Sequence, residues 1–200
     1  MTTKSLILLL MVSSSLTSCF PKVTLEELIA RQAKVEQLLT SATLLMREEN
    51  SDSLAQSEAQ LRLALELAPE DVRVIDGLGC VAWRRKDLRR AEQYFRTAIE
   101  INPGYGRGIA HLAAVAKSRG NLREADRLYQ LALEISPLDY RARNDRAALV
   151  LKSLNSADSR VLAERELRKA LSLSGGNQEI IRANLRLLDR KGIEPDPTLR

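Results

Sequence analysis

Hydrophobic and polar positions along the chain follow a repeating pattern that predicts pairs of α-helices. Apolar residues recur three or four positions apart, which is the spacing of one helical face. Pro69, Pro103 and Pro137 close successive blocks, and successive prolines are 34 residues apart. Because proline lacks a backbone N–H and clashes with the preceding turn, each predicts the end of a helix. The second and third blocks match at Leu78 and Leu112, Gly79 and Ala113, Ala82 and Ala116, Ala91 and Ala125, Phe95 and Tyr129, and Ala98 and Ala132.

This 34-residue pattern resembles the tetratricopeptide repeat. The resemblance implies an all-α fold, a right-handed superhelical solenoid of about four tetratricopeptide-type helix pairs plus a C-terminal capping helix. Such arrays bury each apolar face against the neighbouring pair and leave a concave surface that holds another polypeptide. We predict a repeat domain over 25–191, followed by a disordered tail over 192–200. Its repeats cover about 38–69, 72–103, 106–137 and 140–175, and its capping helix covers 178–191.

The fourth repeat departs from the pattern of the second and third. Its small-residue triplet, which ends at Ala170, arrives four residues late and predicts a short insertion near Asn155–Ser159. Arg143 and Arg146 stand at offsets where the preceding repeats carry isoleucine and leucine. Terminal repeats are often atypical, so we interpret this block as a genuine but degenerate repeat.

The N-terminus has the layout of an export signal, predicted to cover residues 1–18. Lys4 precedes an apolar run over 6–12, which is too short to span a bilayer as a permanent helix. Residues 16–19 read Leu-Thr-Ser-Cys and resemble the bacterial lipobox. That resemblance implies cleavage before Cys19 and attachment of a diacylglycerol to its thiol. The alternative is an ordinary secretory signal in which the cysteine is a coincidence.

The lipobox resemblance also implies where the protein resides. It places the chain in the bacterial cell envelope, lipid-anchored and facing the periplasm. Phe20 follows the cysteine, whereas retention in the inner membrane is associated with aspartate there, so the resemblance points to the outer membrane. The linker over 19–24 is short, which would keep the repeat domain close to the lipid surface.

Cysteine and histidine are too rare for most catalytic and metal-binding motifs. The 200 residues hold two cysteines and one histidine, His111. Metal sites with two histidines and zinc–cysteine clusters are therefore not expected. If Cys19 carries lipid, Cys80 has no thiol partner, so we expect no disulfide framework and a packed role for Cys80. We predict that the protein is not an enzyme and has no catalytic residue, cofactor or metal.

Three arginines recur with the period of the repeat. Arg73, Arg107 and Arg141 are 34 residues apart and fall in the first turn of the first helix of a pair, an offset that faces the groove in tetratricopeptide domains. A cation at a helix N-terminus opposes the macrodipole, so the placement needs an explanation. Either the arginines capture carboxylates of an acidic or C-terminal peptide, or they pair with neighbouring acids. These acids are Glu70, Asp71 and Asp139.

Other candidate partner-binding residues fall at neighbouring groove offsets. Trp83 either anchors a partner or packs between helices. A basic cluster over 84–90 is either a solvated turn or a surface for an anionic lipid or partner. Nucleic acid is not expected there, because aromatic residues are sparse and an exported lipoprotein would not meet it. The remaining candidates are His111, Lys117 and Asn144.

These features predict a non-catalytic, membrane-anchored scaffold that binds a protein or peptide, which would be acidic if the arginines capture carboxylates. In architecture the chain resembles the repeat lipoproteins of pilus biogenesis and secretin assembly, including those of tight-adherence systems. The resemblance implies an assembly factor for a pilus or secretion system. One alternative is a periplasmic adaptor for cell-wall hydrolases or proteases. Another is an enzyme component with an unrecognised site.

Overall fold

A computed structural model describes residues 23–48, 50–153, 157–175 and 178–189. The chain divides into two compact units, Met1–Ala33 and Lys34–Arg200. In the first unit, the side chain of Thr24 accepts a hydrogen bond from the backbone N–H of Glu27, whose carboxylate accepts one from the N–H of Thr24. This reciprocal capping box satisfies two backbone donors at the start of a helix.

The described residues are helical and contain no strand. From the second helix onward, each helix packs against the next along the chain. The fold is an all-α solenoid of four tetratricopeptide-type pairs with a closing helix, as predicted. A short 3-10 helix, Met46–Glu48, follows the first α-helix. The α-helices are α1 (Leu25–Leu45), α2 (Ser51–Leu67), α3 (Val72–Arg84), α4 (Leu88–Ile101), α5 (Gly106–Ser118), α6 (Leu122–Ile135), α7 (Tyr140–Ser153), α8 (Ala157–Leu173) and α9 (Glu179–Asp189).

The repeating prolines lie just beyond helix ends. Helices α2, α4 and α6 each stop two residues before Pro69, Pro103 or Pro137. A residue that precedes proline is pushed out of the α region, so the chain turns at the residue between helix and proline. At the other end, Asp71 caps α3 by accepting a hydrogen bond from the N–H of Arg73. These local rules fix the length of each helix and therefore the 34-residue register.

Small residues and aromatic rings interlock between the helices of a pair. Phe95 on α4 and Tyr129 on α6 are both fully buried. Each ring lies between two buried alanines of its own helix, so a knob alternates with gaps along one face. The ring of Phe95 lies directly against Gly79 of α3, where an added Cβ would fall 2.4 Å from a ring carbon. The absence of a side chain at Gly79 therefore sets how closely α3 and α4 approach.

The degenerate fourth repeat closes its core with ion pairs. Arg143 and Arg146 of α7 replace the apolar residues of the preceding repeats, and the side chains of both are about nine-tenths buried. Nη1 of Arg143 lies 2.5 Å from Oε2 of Glu166 on α8. Nε of Arg146 lies 2.8 Å from Oδ1 of Asp126 on α6. The late triplet of α8, Ala163, Leu167 and Ala170, is fully buried in the cluster that α9 closes through Ile181 and Leu188.

Gly79→Leu should destabilise the array by at least about 1 kcal/mol, because a side chain must displace the buried ring of Phe95. Leucine is a better helix former than glycine, so local propensity alone would give the opposite sign. Urea unfolding followed by circular dichroism measures the change. Gly104→Ala is the control, since an added Cβ there meets only the Asn102 side chain. If Gly79→Leu were as stable as the unsubstituted protein or more so, close packing of Phe95 against Gly79 would be contradicted.

Glu166→Gln should lower the free energy of unfolding by about 3 kcal/mol, because it leaves the buried guanidinium of Arg143 without its counter-charge. The matched control is Glu124→Gln, whose partner Arg127 is exposed to solvent, and it should leave the unfolding midpoint almost unchanged. Fluorescence of Trp83 during urea unfolding provides the measurement. If the two variants lose stability equally, the buried ion pair does not hold the fourth repeat.

Candidate functional site

The first helices of successive pairs line one cavity of about 520 Å³. Within each of these helices, lining residues recur every three or four positions, so they share a helical face. The second unit contributes all of them, from Glu36 onward. All three periodic arginines reach this cavity. The lining polar residues on α3, α5 and α7 are Arg73, Asp76, Cys80, Arg107, His111, Arg141 and Asp145.

Arg73 is neutralised inside the protein. Its Nη2 atom lies 2.6 Å from Oδ2 of Asp71 and 2.7 Å from Oε1 of Glu36. The Asp71 and Glu36 carboxylates raise the pKa of Arg73 further above its ordinary value. Burial alone would raise the pKa of Asp71, but hydrogen bonds from Arg73 hold it below the usual range. At this position the structure matches the second of the two explanations, pairing with a neighbouring acid.

Arg107 and Arg141 differ from Arg73. Within the described part of the chain, neither guanidinium has an ion-pair partner. The cause at Arg107 is visible in the repeat itself, since the position of Asp71 is taken by Tyr105 one period later. Asp139 occupies the same position in the next repeat, and its Oδ1 atom accepts from the backbone N–H of Arg141 at 2.9 Å. Asp71 makes the same capping bond to Arg73 but also pairs with its guanidinium, which Asp139 does not do for Arg141. The guanidinium of Arg141 lies 5.3 Å from the ring centroid of Tyr140.

The acids of the cavity are engaged within the protein. Glu36 pairs with Arg73, and Asp139 caps α7. Asp76 is buried and accepts from Tyr105, whose hydroxyl lies 3.2 Å from Oδ2. Burial raises the pKa of Asp145, so its charge is disfavoured. The cavity therefore contains both signs of charge, and among the described residues its cations without an ion-pair partner are Arg47, Arg107 and Arg141.

A cluster of three polar side chains lies on the cavity wall between α3 and α5. We call Asp76, Cys80 and His111 the D-C-H cluster. Nδ1 of His111 lies 2.7 Å from Oδ1 of Asp76 and 3.7 Å from Sγ of Cys80. The imidazole also packs on the buried ring of Phe95, with centroids 5.2 Å apart. Burial opposes protonation of His111, but Cys80 and Asp76 together hold its pKa well above the ordinary value.

The other predicted partner-binding residues lie away from this cavity. The indole N–H of Trp83 donates to Oγ of Ser118 on α5, and its ring packs against the core between helices. Nζ of Lys117 lies 6.0 Å from the ring centroid of Tyr129. Asn144 is buried and accepts from the side chain of Asn184 on α9. A partner-binding role for these residues stays a prediction.

The basic cluster over 84–90 forms the turn between α3 and α4. Arg85 pairs with Glu58 of α2, and Arg90 pairs with Asp87 at 3.4 Å. Lys86 has a φ of 65°, in the left-handed region that lets the turn close. The ion pairs agree with a solvated turn, the first of the two explanations. No helix among the described residues combines the length and apolarity that crossing a membrane requires, and Cys19 lies outside those residues.

Motif spacing did not predict the D-C-H cluster, because its members do not follow the repeat period. Asp76 and Cys80 are four residues apart on one helix, which places them on one face. His111 is 35 residues after Asp76 and 31 after Cys80, so it reaches them from the next repeat. The only usable signal was the i,i+4 pair of potential ligands facing the groove.

Comparisons with known proteins identify the repeat. Residues 72–105 match the family model described as Tetratricopeptide repeat. No curated protein sequence matches the chain. The matched segment contains α3, α4 and the turn that follows them, so the sequence signal is concentrated in the most regular pair.

Solved structures share the fold. One titled "Functional Characterization of Pseudomonas Aeruginosa pilF" is similar over 81% of this chain and 70% of its own, with 17% identity and a TM-score of 0.64. A tetratricopeptide-repeat protein of Thermus thermophilus is similar over 80% and 82%, with 17% identity and a TM-score of 0.63.

An O-GlcNAc transferase of Thermobaculum terrenum is similar over 70% of this chain, with 22% identity and a TM-score of 0.61. This chain spans only 26% of that protein. At these identities the similarities show the fold alone. They establish a tetratricopeptide-type array.

Proposed function

We propose that this protein is a non-catalytic scaffold, anchored to the outer membrane through Cys19, that holds an acidic partner segment in its groove. We further propose that it assists assembly of a pilus or secretion system in the periplasm. The fold supports the interaction role, because stacked helix pairs present a continuous concave surface. The lipobox resemblance at residues 16–19 supports the anchor. Structural similarity to PilF supports the choice of a pilus.

One observation carries the choice of an acidic partner. Arg107 and Arg141 line the cavity, and neither has a carboxylate partner among the described residues, whereas the acids around them are engaged. A guanidinium binds a carboxylate through two parallel N–H donors, which fixes orientation as well as charge. The exposed side chain of Leu138, beside both arginines, adds an apolar contact. A peptide that combines a carboxylate with an apolar residue fits this arrangement.

Arg107→Glu should weaken partner capture about tenfold or more, since a hydrogen bond to a charged group contributes about 1.5–3 kcal/mol. A photoreactive amino acid at Thr43, which is exposed and lines the cavity, would trap the partner in cells for mass spectrometry. Pilus or secretin subunits are the expected product. Peptidoglycan hydrolases or proteases would instead support the adaptor alternative.

The control for this experiment is Arg123→Glu. Arg123 is the second residue of α6, as Arg107 is of α5, so the two changes have the same charge and the same helix position. Arg123 does not line the cavity, so Arg123→Glu should leave partner capture unchanged. Equal crosslinking by both variants would show that the groove does not bind through Arg107. Crosslinking at Gln130, which also lies outside the cavity, gives the background.

Cys19→Ala should release the protein from the membrane fraction, because each buried methylene of an acyl chain contributes about 0.8 kcal/mol to anchoring. Cell fractionation with separation of inner and outer membranes measures this. Cys80→Ala removes the other cysteine and should leave the protein in the membrane fraction. Retention of Cys19→Ala in the outer membrane would reject the lipid anchor.

A further inference from the structure

We propose that the D-C-H cluster of Asp76, Cys80 and His111 is a binding site for one zinc ion in the wall of the groove. The three side chains come from two different repeats, and their potential ligand atoms all lie within 4.8 Å of one another. Thiolate, imidazole and carboxylate are the three ligand types that zinc takes in proteins. This assignment replaces the expectation from sequence that the chain binds no metal, and it holds whatever the groove binds.

Two of the three ligand-to-ligand distances are near those around a tetrahedral ion, and the third, between Cys80 and Asp76, is at most 4.8 Å. With Zn–S of about 2.3 Å and Zn–N of about 2.0 Å, two tetrahedral ligand atoms lie about 3.5 Å apart. Sγ of Cys80 and Nδ1 of His111 are 3.7 Å apart, so this edge of the site is already in place. Nδ1 and Oδ1 of Asp76 are 2.7 Å apart, which is a hydrogen-bond distance. That edge must open by about 0.5 Å when the ion replaces the shared proton.

The surroundings of the cluster orient its ligands. The hydroxyl of Tyr105 donates to Oδ2 of Asp76, which leaves Oδ1 directed at His111. The ring of Phe95 packs on the imidazole and limits its rotation. Such supporting contacts are typical of metal sites, because they hold ligand atoms in position before the ion arrives. All three ligand residues line the cavity, so an ion can enter from the groove and keep a fourth position open to water.

A catalytic Cys-His-Asp arrangement fits the same residues less well. In that arrangement the acid orients one imidazole nitrogen while the thiol faces the other. Here Asp76 and Cys80 both lie nearest to Nδ1 of His111, so the two groups compete for one nitrogen. A metal ion resolves this competition, because a single ion contacts all three atoms at once. Binding releases the thiol proton and the proton that His111 shares with Asp76 to solvent.

The test uses the full chain in detergent, without a polyhistidine tag, and with Cys19→Ser so that Cys80 is the only thiol. Zinc is titrated against a chromophoric chelator, and cobalt is titrated to detect the thiolate-to-cobalt absorption band. We expect one ion per chain and a thiolate band. Cys80→Ser should abolish the band, and His111→Gln should lower zinc affinity at least about tenfold, the scale of a lost contact at a metal site. Calcium and magnesium should not bind, since they prefer oxygen ligands.

Asp145→Asn is the matched control, because Asp145 lines the same cavity outside the cluster and should leave zinc affinity unchanged. A second readout avoids any folding defect of the variants: zinc should slow alkylation of Cys80 in the chain that retains all three ligands. Absence of stoichiometric zinc binding, or binding that Cys80→Ser leaves intact, would overturn the proposal. Unslowed alkylation at saturating zinc would do the same.

Discussion

Close approach of paired helices is the constraint on which the rest of this structure depends. A ring on the second helix fills the space left by a small residue on the first, as Phe95 does against Gly79. Full burial of such a ring contributes about 1.5–3 kcal/mol, and neither helix of a pair could bury it alone. Ala113 and Tyr129 occupy the equivalent positions one period later and belong to the same core cluster. The second and third pairs, which carry this ring, therefore share one register.

Register is also what assembles the groove. Because the first helices stack in the same orientation, residues at one offset lie side by side in successive repeats. Arg73, Arg107 and Arg141 therefore reach a single cavity although they are far apart in sequence. Arg73 and Arg107 differ because the residue two positions before the arginine changes from Asp71 to Tyr105. Arg141 again follows an aspartate, Asp139, but this carboxylate accepts from the backbone N–H of Arg141 and makes no ion pair with its side chain among the described residues. A repeated position thus provides a similar place in the groove with different side-chain partners.

The sequence predicted the features that follow the period. Helix ends, the buried rings and the shared groove position of the arginines all recur at 34 residues, and the structure has them. Contacts that depart from the period were not predictable in this way. His111 reaches Asp76 at a separation of 35, and Arg143 reaches Glu166 across a pair with an insertion. Trp83 was ambiguous, because an indole at the edge of a helix packs or protrudes according to neighbours such as Ser118.

The groove arginines and the D-C-H cluster are electrostatically connected through Tyr105. Its hydroxyl donates to Asp76, while the charge of Arg107 acts on the same phenol. A divalent cation at the cluster would offset the charges of Asp76 and Cys80 and leave the cavity more positive near Arg107. An acidic segment would then be held more strongly, and by linkage its binding would favour the ion to the same extent. Zinc binding and peptide binding can still be measured separately, because an ion at the D-C-H cluster requires its three ligands but no peptide.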